Sequence, residues 1–143
     1  MPVVFVTWFG LATTELVDEY FAWSDALNER AYAEGRRYVM ISDTLQGERP
    51  SPLVRKHISE LTNAQPDYVD ALTIESMIVI DSPIMRGTIT ALSWLIPEFD
   101  VVPIKSLAAA IDRGLAALAA EDIDPPRTLS VEGYRRPAWS KAS

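Results

Sequence analysis

The sequence predicts an α/β domain, a mainly parallel sheet of four to five strands with helices packed on it. Three observations predict it. Short β-rich runs alternate with longer runs of helical periodicity, in the order β-α-β-α-β-α-β-α. The run at 37–42 (Arg-Tyr-Val-Met-Ile-Ser) is nearly continuous in apolar residues, as a buried parallel strand is. The length of 143 residues and the hydrophobic fraction of 48% suit one domain with one core.

The elements follow in order. Val3 to Phe9 is dense in β-branched and aromatic residues and stops at Gly10. Thr13 or Thr14 caps a long helix whose first turns carry Glu15, Asp18 and Glu19. Leu16, Tyr20, Trp23, Leu27 and Ala31 recur at spacings of four and three, which predicts its buried stripe. Gly35 closes it. The strand at 37–42 comes next, then a polar loop from Asp43 to Pro50. Ser51-Pro52 opens a second helix with Leu53, Val54, His57, Ile58 and Leu61 on its buried face, stopped by Pro66. Ile74 to Ile80 is a third strand, and Ser82-Pro83 opens a third helix that runs to about Leu95 and ends near Pro97. Val101 to Ile104 is a short last strand whose Pro103 suits an edge. Ser106 caps a fourth helix, Leu107 to about Ala120. Periodicity leaves open whether the first strand pairs parallel or antiparallel. Trp23 and Trp94 read as core residues, and Trp8 and Phe9 as covers for a sheet edge or a dimer contact.

Residues 1–120 thus form the domain, and 121–143 a tail. From 124 onward the tail holds four basic residues (Arg127, Arg135, Arg136, Lys141) and two acidic ones (Asp124, Glu132). The formal charge of −7 is therefore a +2 tail on a −9 body. Pro125, Pro126 and Pro137 forbid a continuous helix there. With Leu129, Val131, Tyr134, Ala138 and Trp139, the tail reads as a strap on the acidic body, or else as a basic peptide for a partner.

Composition excludes whole classes of chemistry. With no Cys there is no disulfide, thiolate metal site or Cys nucleophile. With one His, a His-rich metal site within one chain is impossible. The acidic balance argues against a nucleic-acid partner. No apolar run approaches a membrane span, and the N-terminus lacks the marks of a signal peptide, so a cytoplasmic protein is expected.

One pattern occurs twice. Ser51-Pro52-Leu53-Val54-Arg55 and Ser82-Pro83-Ile84-Met85-Arg86 both read Ser, Pro, aliphatic, large apolar, Arg. Ser is a strong helix cap, and Pro suits the first helical position. In an open α/β sheet both helix starts lie at the carboxyl edge of the strands, where ligands usually bind. One reading is a site for a small anion, built on helix starts and Arg55 and Arg86, beside Asp43, Thr44 and Asp81. The other is convergent capping, with both arginines paired to the nearby aspartates.

No Gly-x-Ser-x-Gly elbow, Walker-type loop or Gly-x-Gly-x-x-Gly fingerprint occurs. His57, between Leu53 and Leu61, reads as a packed core or interface histidine rather than a base. A magnesium-dependent hydrolase on Asp43 and Asp81 is the weakest of the readings.

The strand ending Trp8-Phe9-Gly10, the run Arg36 to Asp43, the stretch from Ser82 through Arg86-Gly87 to Pro97, and the helix from Ser106 together carry a family likeness. Over roughly residues 3–120 the chain resembles the STAS-like domains (sulfate transporter and anti-sigma-factor antagonist) and their lipid-transfer-like bacterial relatives. The resemblance implies a non-enzymatic bacterial signalling module that needs no cofactor and binds a protein partner, a second copy of itself or a small anionic ligand. Taken with the two helix starts, the expected contact residues are Asp43, Thr44, Ser51, Arg55, Ser82 and Arg86. The family's Asp-Ser-Ser-Gly phosphorylation pattern is absent, which leaves Thr44 and Ser51 as candidates. STAS domains usually carry an extra strand before the one that precedes the first helix, and here there is no room for it. The sheet edge is therefore expected to be completed by the tail or by a second chain.

Overall fold

The computed structural model describes residues 2–95, 100–127 and 129–137, without the side chains of residues 88 and 92–95. The elements are β1 (Val3–Gly10), α1 (Thr14–Glu34), β2 (Tyr38–Gly47), α2 (Pro52–Asn63), α3 (Tyr68–Leu72), β3 (Thr73–Val79), α4 (Pro83–Leu95), β4 (Val102–Ile104) and α5 (Leu107–Ala120). The four strands lie in the order β1-β2-β3-β4, and every pair is parallel. The first strand is therefore a parallel strand, and the short Pro-containing β4 is an edge.

Caps punctuate the chain as its residues dictate. Thr13 accepts a bond from the Leu16 amide, Ser51 from Val54 and Ser106 from Ala109. Gly35 ends α1 at φ 65°, a left-handed conformation that glycine adopts without a steric penalty.

Alternation along the strands gives the sheet two apolar faces. Val4, Tyr38 and Met40 turn to the face covered by α1 and α3. Val3, Val39, Ile41, Met77 and Val79 turn to the other, where Ala110, Ile111 and Leu118 of α5 cover them. Each fully buried aliphatic side chain stabilises by about 1.5–3 kcal/mol, so this second face holds most of the core energy. Gly114 of α5 faces the sheet, where an added Cβ would lie 3.4 Å from Val39 Cγ1 and 3.6 Å from Met77 Cε.

The helix α5 reaches β2, β3 and β4; the tail covers β1. Beyond α5 the chain turns at Asp122 and comes back across the sheet. Leu129, Val131 and Tyr134 pack on the core, and the Tyr134 ring stacks on Phe5 at 4.2 Å. Of the two readings of the tail, the described part is a strap.

Several expectations are corrected. The polar run after Asp43 is strand, not loop: β2 continues to Gly47, paired with Phe9 and Gly10 of β1 past a register shift. An additional short helix, α3, follows Pro66. On α1 the buried residues are Val17, Phe21, Ser24 and Asn28, about one position round from the predicted stripe. Leu16 and Trp23 are exposed, so Trp23 is not core. On α2 only Val54 is buried, and Leu53 points to solvent. The buried row of α1 holds a polar contact: the Tyr38 hydroxyl donates to Asn28 Oδ1 at 2.5 Å, which keeps an amide in the core. The Trp94 side chain, Pro97, Ala138, Trp139 and Lys141 lie outside the described residues.

Candidate functional site

The carboxyl edge of the sheet carries the predicted site residues on β2 and at the starts of α2 and α4. Thr7, Asp43, Val79 and Ile104 form the last row shared by all four strands. Asp43 is 1% exposed, the only buried carboxylate among the described residues. Its Oδ1 accepts the Leu45 amide at 3.1 Å, a local turn bond. Its charge is met by Arg136, whose Nε lies 2.5 Å from Oδ2 and Nη2 3.4 Å from Oδ1. A buried carboxylate needs a counter-charge, because leaving it unpaired costs several kcal/mol. That cation comes from the tail, 93 residues away in sequence. In the capping reading Arg55 and Arg86 pair with the nearby aspartates; neither guanidinium meets a carboxylate among the described residues.

The repeated pattern has one structural meaning in both places. Ser51 Oγ accepts the Val54 amide at 3.2 Å, and Ser82 Oγ accepts the Met85 amide at 3.3 Å. Arg55 then folds back and donates to the Pro50 carbonyl at 3.1 Å. Arg86 does the same to Asp81 at 2.7 Å, and also reaches Ile80 at 3.0 Å. Each guanidinium thus closes the turn just ahead of its own Ser cap. The Ser51, Arg55, Ser82 and Arg86 side chains each bond within their own turn and helix start. The Thr44 hydroxyl donates to the Val79 carbonyl at 2.7 Å and ties β2 to β3.

Both copies of the pattern place an aliphatic residue outward at the same position. Leu53 is 69% exposed and Ile84 81% exposed, the two most exposed large hydrophobic residues among those described. Helical spacing predicts a buried Leu53, and the structure turns it outward. The signal was their position one residue after Pro in the first turn, where a helix seated by its later turns leaves side chains outward.

Asp81 turns its carboxylate to solvent and meets Arg86 only through its backbone carbonyl, whereas the histidine is bound into the fold. His57 Nε2 lies 2.6 Å from Asp18 Oδ1 and joins α2 to α1. No group of three or more His, Asp or Glu able to hold a metal ion occurs among the described residues. Both oxygens of Asp43 already meet Arg136 or the Leu45 amide. Burial raises the Tyr134 phenol above its ordinary value; nearby Asp43 raises it further, while Thr7 and Arg136 oppose the shift. Burial likewise raises Tyr38 and Tyr20.

Arg136 and Tyr134 join this edge from the tail, which no local pattern in the sequence marks. The only hint was the basic excess of the tail against an acidic body. No family model, curated protein or solved structure matches this chain. Among the described residues, no helix is long and apolar enough to cross a membrane.

Proposed function

We propose that this chain is a STAS-like signalling module that docks a protein partner on the carboxyl edge of its sheet. The observation that carries the reading is the repeated exposure of Leu53 and Ile84 at equivalent positions of two rigidly capped helix starts. Exposed aliphatic side chains on a fixed frame are suited to pockets on another protein, and their burial there drives association. The frame is set by Ser51 with Arg55 and by Ser82 with Arg86, so the docking residues need no ordering when the partner arrives. The all-parallel α/β layout supports the STAS-like class. The anionic-ligand reading has less support, because the Ser hydroxyls cap helices and both guanidinia already hold backbone carbonyls.

Native mass spectrometry of the chain purified from its own cells tests the proposal. The expected result is a complex with a second kind of polypeptide at fixed stoichiometry, lost in the double variant Leu53→Asp, Ile84→Asp. Recovery of the wild-type chain with only a small anion bound would overturn it.

A further inference from the structure

A separate surface, on the other side of α1, carries a second inference. The strand β1 is an edge, and among the described residues no strand lies outside it. Its eight residues include no charge and no proline, the usual protections of an exposed edge. The Pro2 carbonyl accepts from Val39 of β2 and the Gly10 carbonyl from Glu48 just past its end, so alternation turns the N–H and C=O of Phe5 and Thr7 outward. Above this edge α1 and β1 form an apolar groove of about 530 Å³, lined by Trp8, Leu16, Tyr20 and Trp23 with Glu19 on its rim. Leu16 and Trp23 are 40% and 47% exposed. The opposite flank of α1 is the one held to α2 through Asp18 and His57.

We infer that β1 and α1 pair with their own copies in a second molecule, about a two-fold axis that makes one continuous eight-stranded sheet. Charge selects this occupant. On α1, Glu19 and Arg30 lie eleven residues apart, three helical turns, on the outer rim of the same apolar flank. Both are exposed, and neither has a partner among the described residues. An antiparallel pair of α1 helices centred between Ser24 and Asp25 sets Glu19 of each copy against Arg30 of the other, twice by symmetry.

The same axis serves the strands. Trp8 meets Tyr20 edge to face at 5.1 Å. Tyr20 is about 7 Å of helix from the midpoint, a drop of about two strand residues, which leads from Trp8 to Val6. Val6 is at the middle of β1. An axis there makes Phe5 and Thr7 of opposite copies exchange hydrogen bonds, using the groups that point outward. With strands about 4.8 Å apart, helices seated over β1 and β2 stand about 10 Å from their mates, a normal packing distance. The helix and the strand thus place the axis at one point.

Sedimentation velocity of the full chain over a concentration series tests this. The expected result is a concentration-dependent dimer. Trp23→Asp, at a half-exposed site that leaves the fold intact, should raise the dimer Kd by more than about tenfold. Glu19→Arg alone and Arg30→Glu alone should each weaken it by about threefold, and the double exchange should restore it. Amide exchange should slow at Phe5 and Thr7 as concentration rises. A chain that stays monomeric throughout would overturn the inference. So would a dimer with the same Kd in all four variants, or one whose Phe5 and Thr7 amides exchange as in the monomer.

Discussion

The two halves of the carboxyl edge differ in what they do with their side chains. At Asp43 the edge is closed: a buried carboxylate, an arginine from the tail and the Tyr134 ring complete the cover over β1. At the two helix starts it is open: polar groups are spent on capping, and Leu53 and Ile84 stand in solvent. The contrast teaches that the buried charge at this edge serves folding, while its helix starts put two aliphatic side chains in solvent. A residue's chemistry alone would have assigned the roles the other way round, with the aspartate and arginines as binding groups and the aliphatics as core.

The largest test of the closed half removes it. Deleting 124–143 takes away the cation for Asp43 and the cover from Leu129, Val131 and Tyr134. Most of the stability should go, by more than about 5 kcal/mol in urea unfolding. A melting temperature equal to that of the full chain would show that the strap contributes nothing. Arg136→Ala isolates the charge. It leaves Asp43 buried and unpaired and should cost about 3 kcal/mol. Asp43→Asn combined with Arg136→Met should cost less than Arg136→Ala alone, because no uncompensated charge remains.

A smaller effect sharpens the comparison through pH. Tyr38, Tyr20 and Tyr134 all have pKa values raised above 10.0, first through burial. Unfolded phenols titrate near 10, and the folded ones higher. Their contribution to stability is therefore whole below pH 10 and is lost as pH rises through the raised values. Tyr38→Phe should cost about 1.5 kcal/mol at neutral pH, because Asn28 Oδ1 loses its donor. It should also flatten the decline of the urea midpoint above pH 10. The smallest effect on stability belongs to the open half. Leu53→Asp and Ile84→Asp should each change unfolding by less than about 0.5 kcal/mol, since neither side chain is buried.

What the sequence showed and what it hid divide on the same line. Element order, the caps at Thr13, Ser51 and Ser106, and the end at Gly35 were legible because each depends on neighbours a few residues away. The position of Asp43 at a strand end and of Ser51 and Ser82 at helix starts was legible for the same reason. Their partners were hidden. Arg136 meets Asp43 across 93 residues, and no periodicity marks such a pair. Asn28 is buried on α1 because Tyr38 arrives from β2 with a hydroxyl, which a hydrophobic stripe cannot express. The extension of β2 through Thr44 and Gln46 looked like a loop because those residues are polar; β1 holds it in the sheet. The five residues of α3 are too few to show a period.

The central claim is that a protein partner seats on Leu53 and Ile84. Photo-crosslinking in cells tests it most directly, with a benzophenone amino acid at 53, at 84, or at the exposed Asp112 of α5 on the opposite face of the sheet. The account predicts that positions 53 and 84 capture one and the same protein and that position 112 does not. Capture of that protein equally from all three positions, or no capture from 53 and 84, would contradict it.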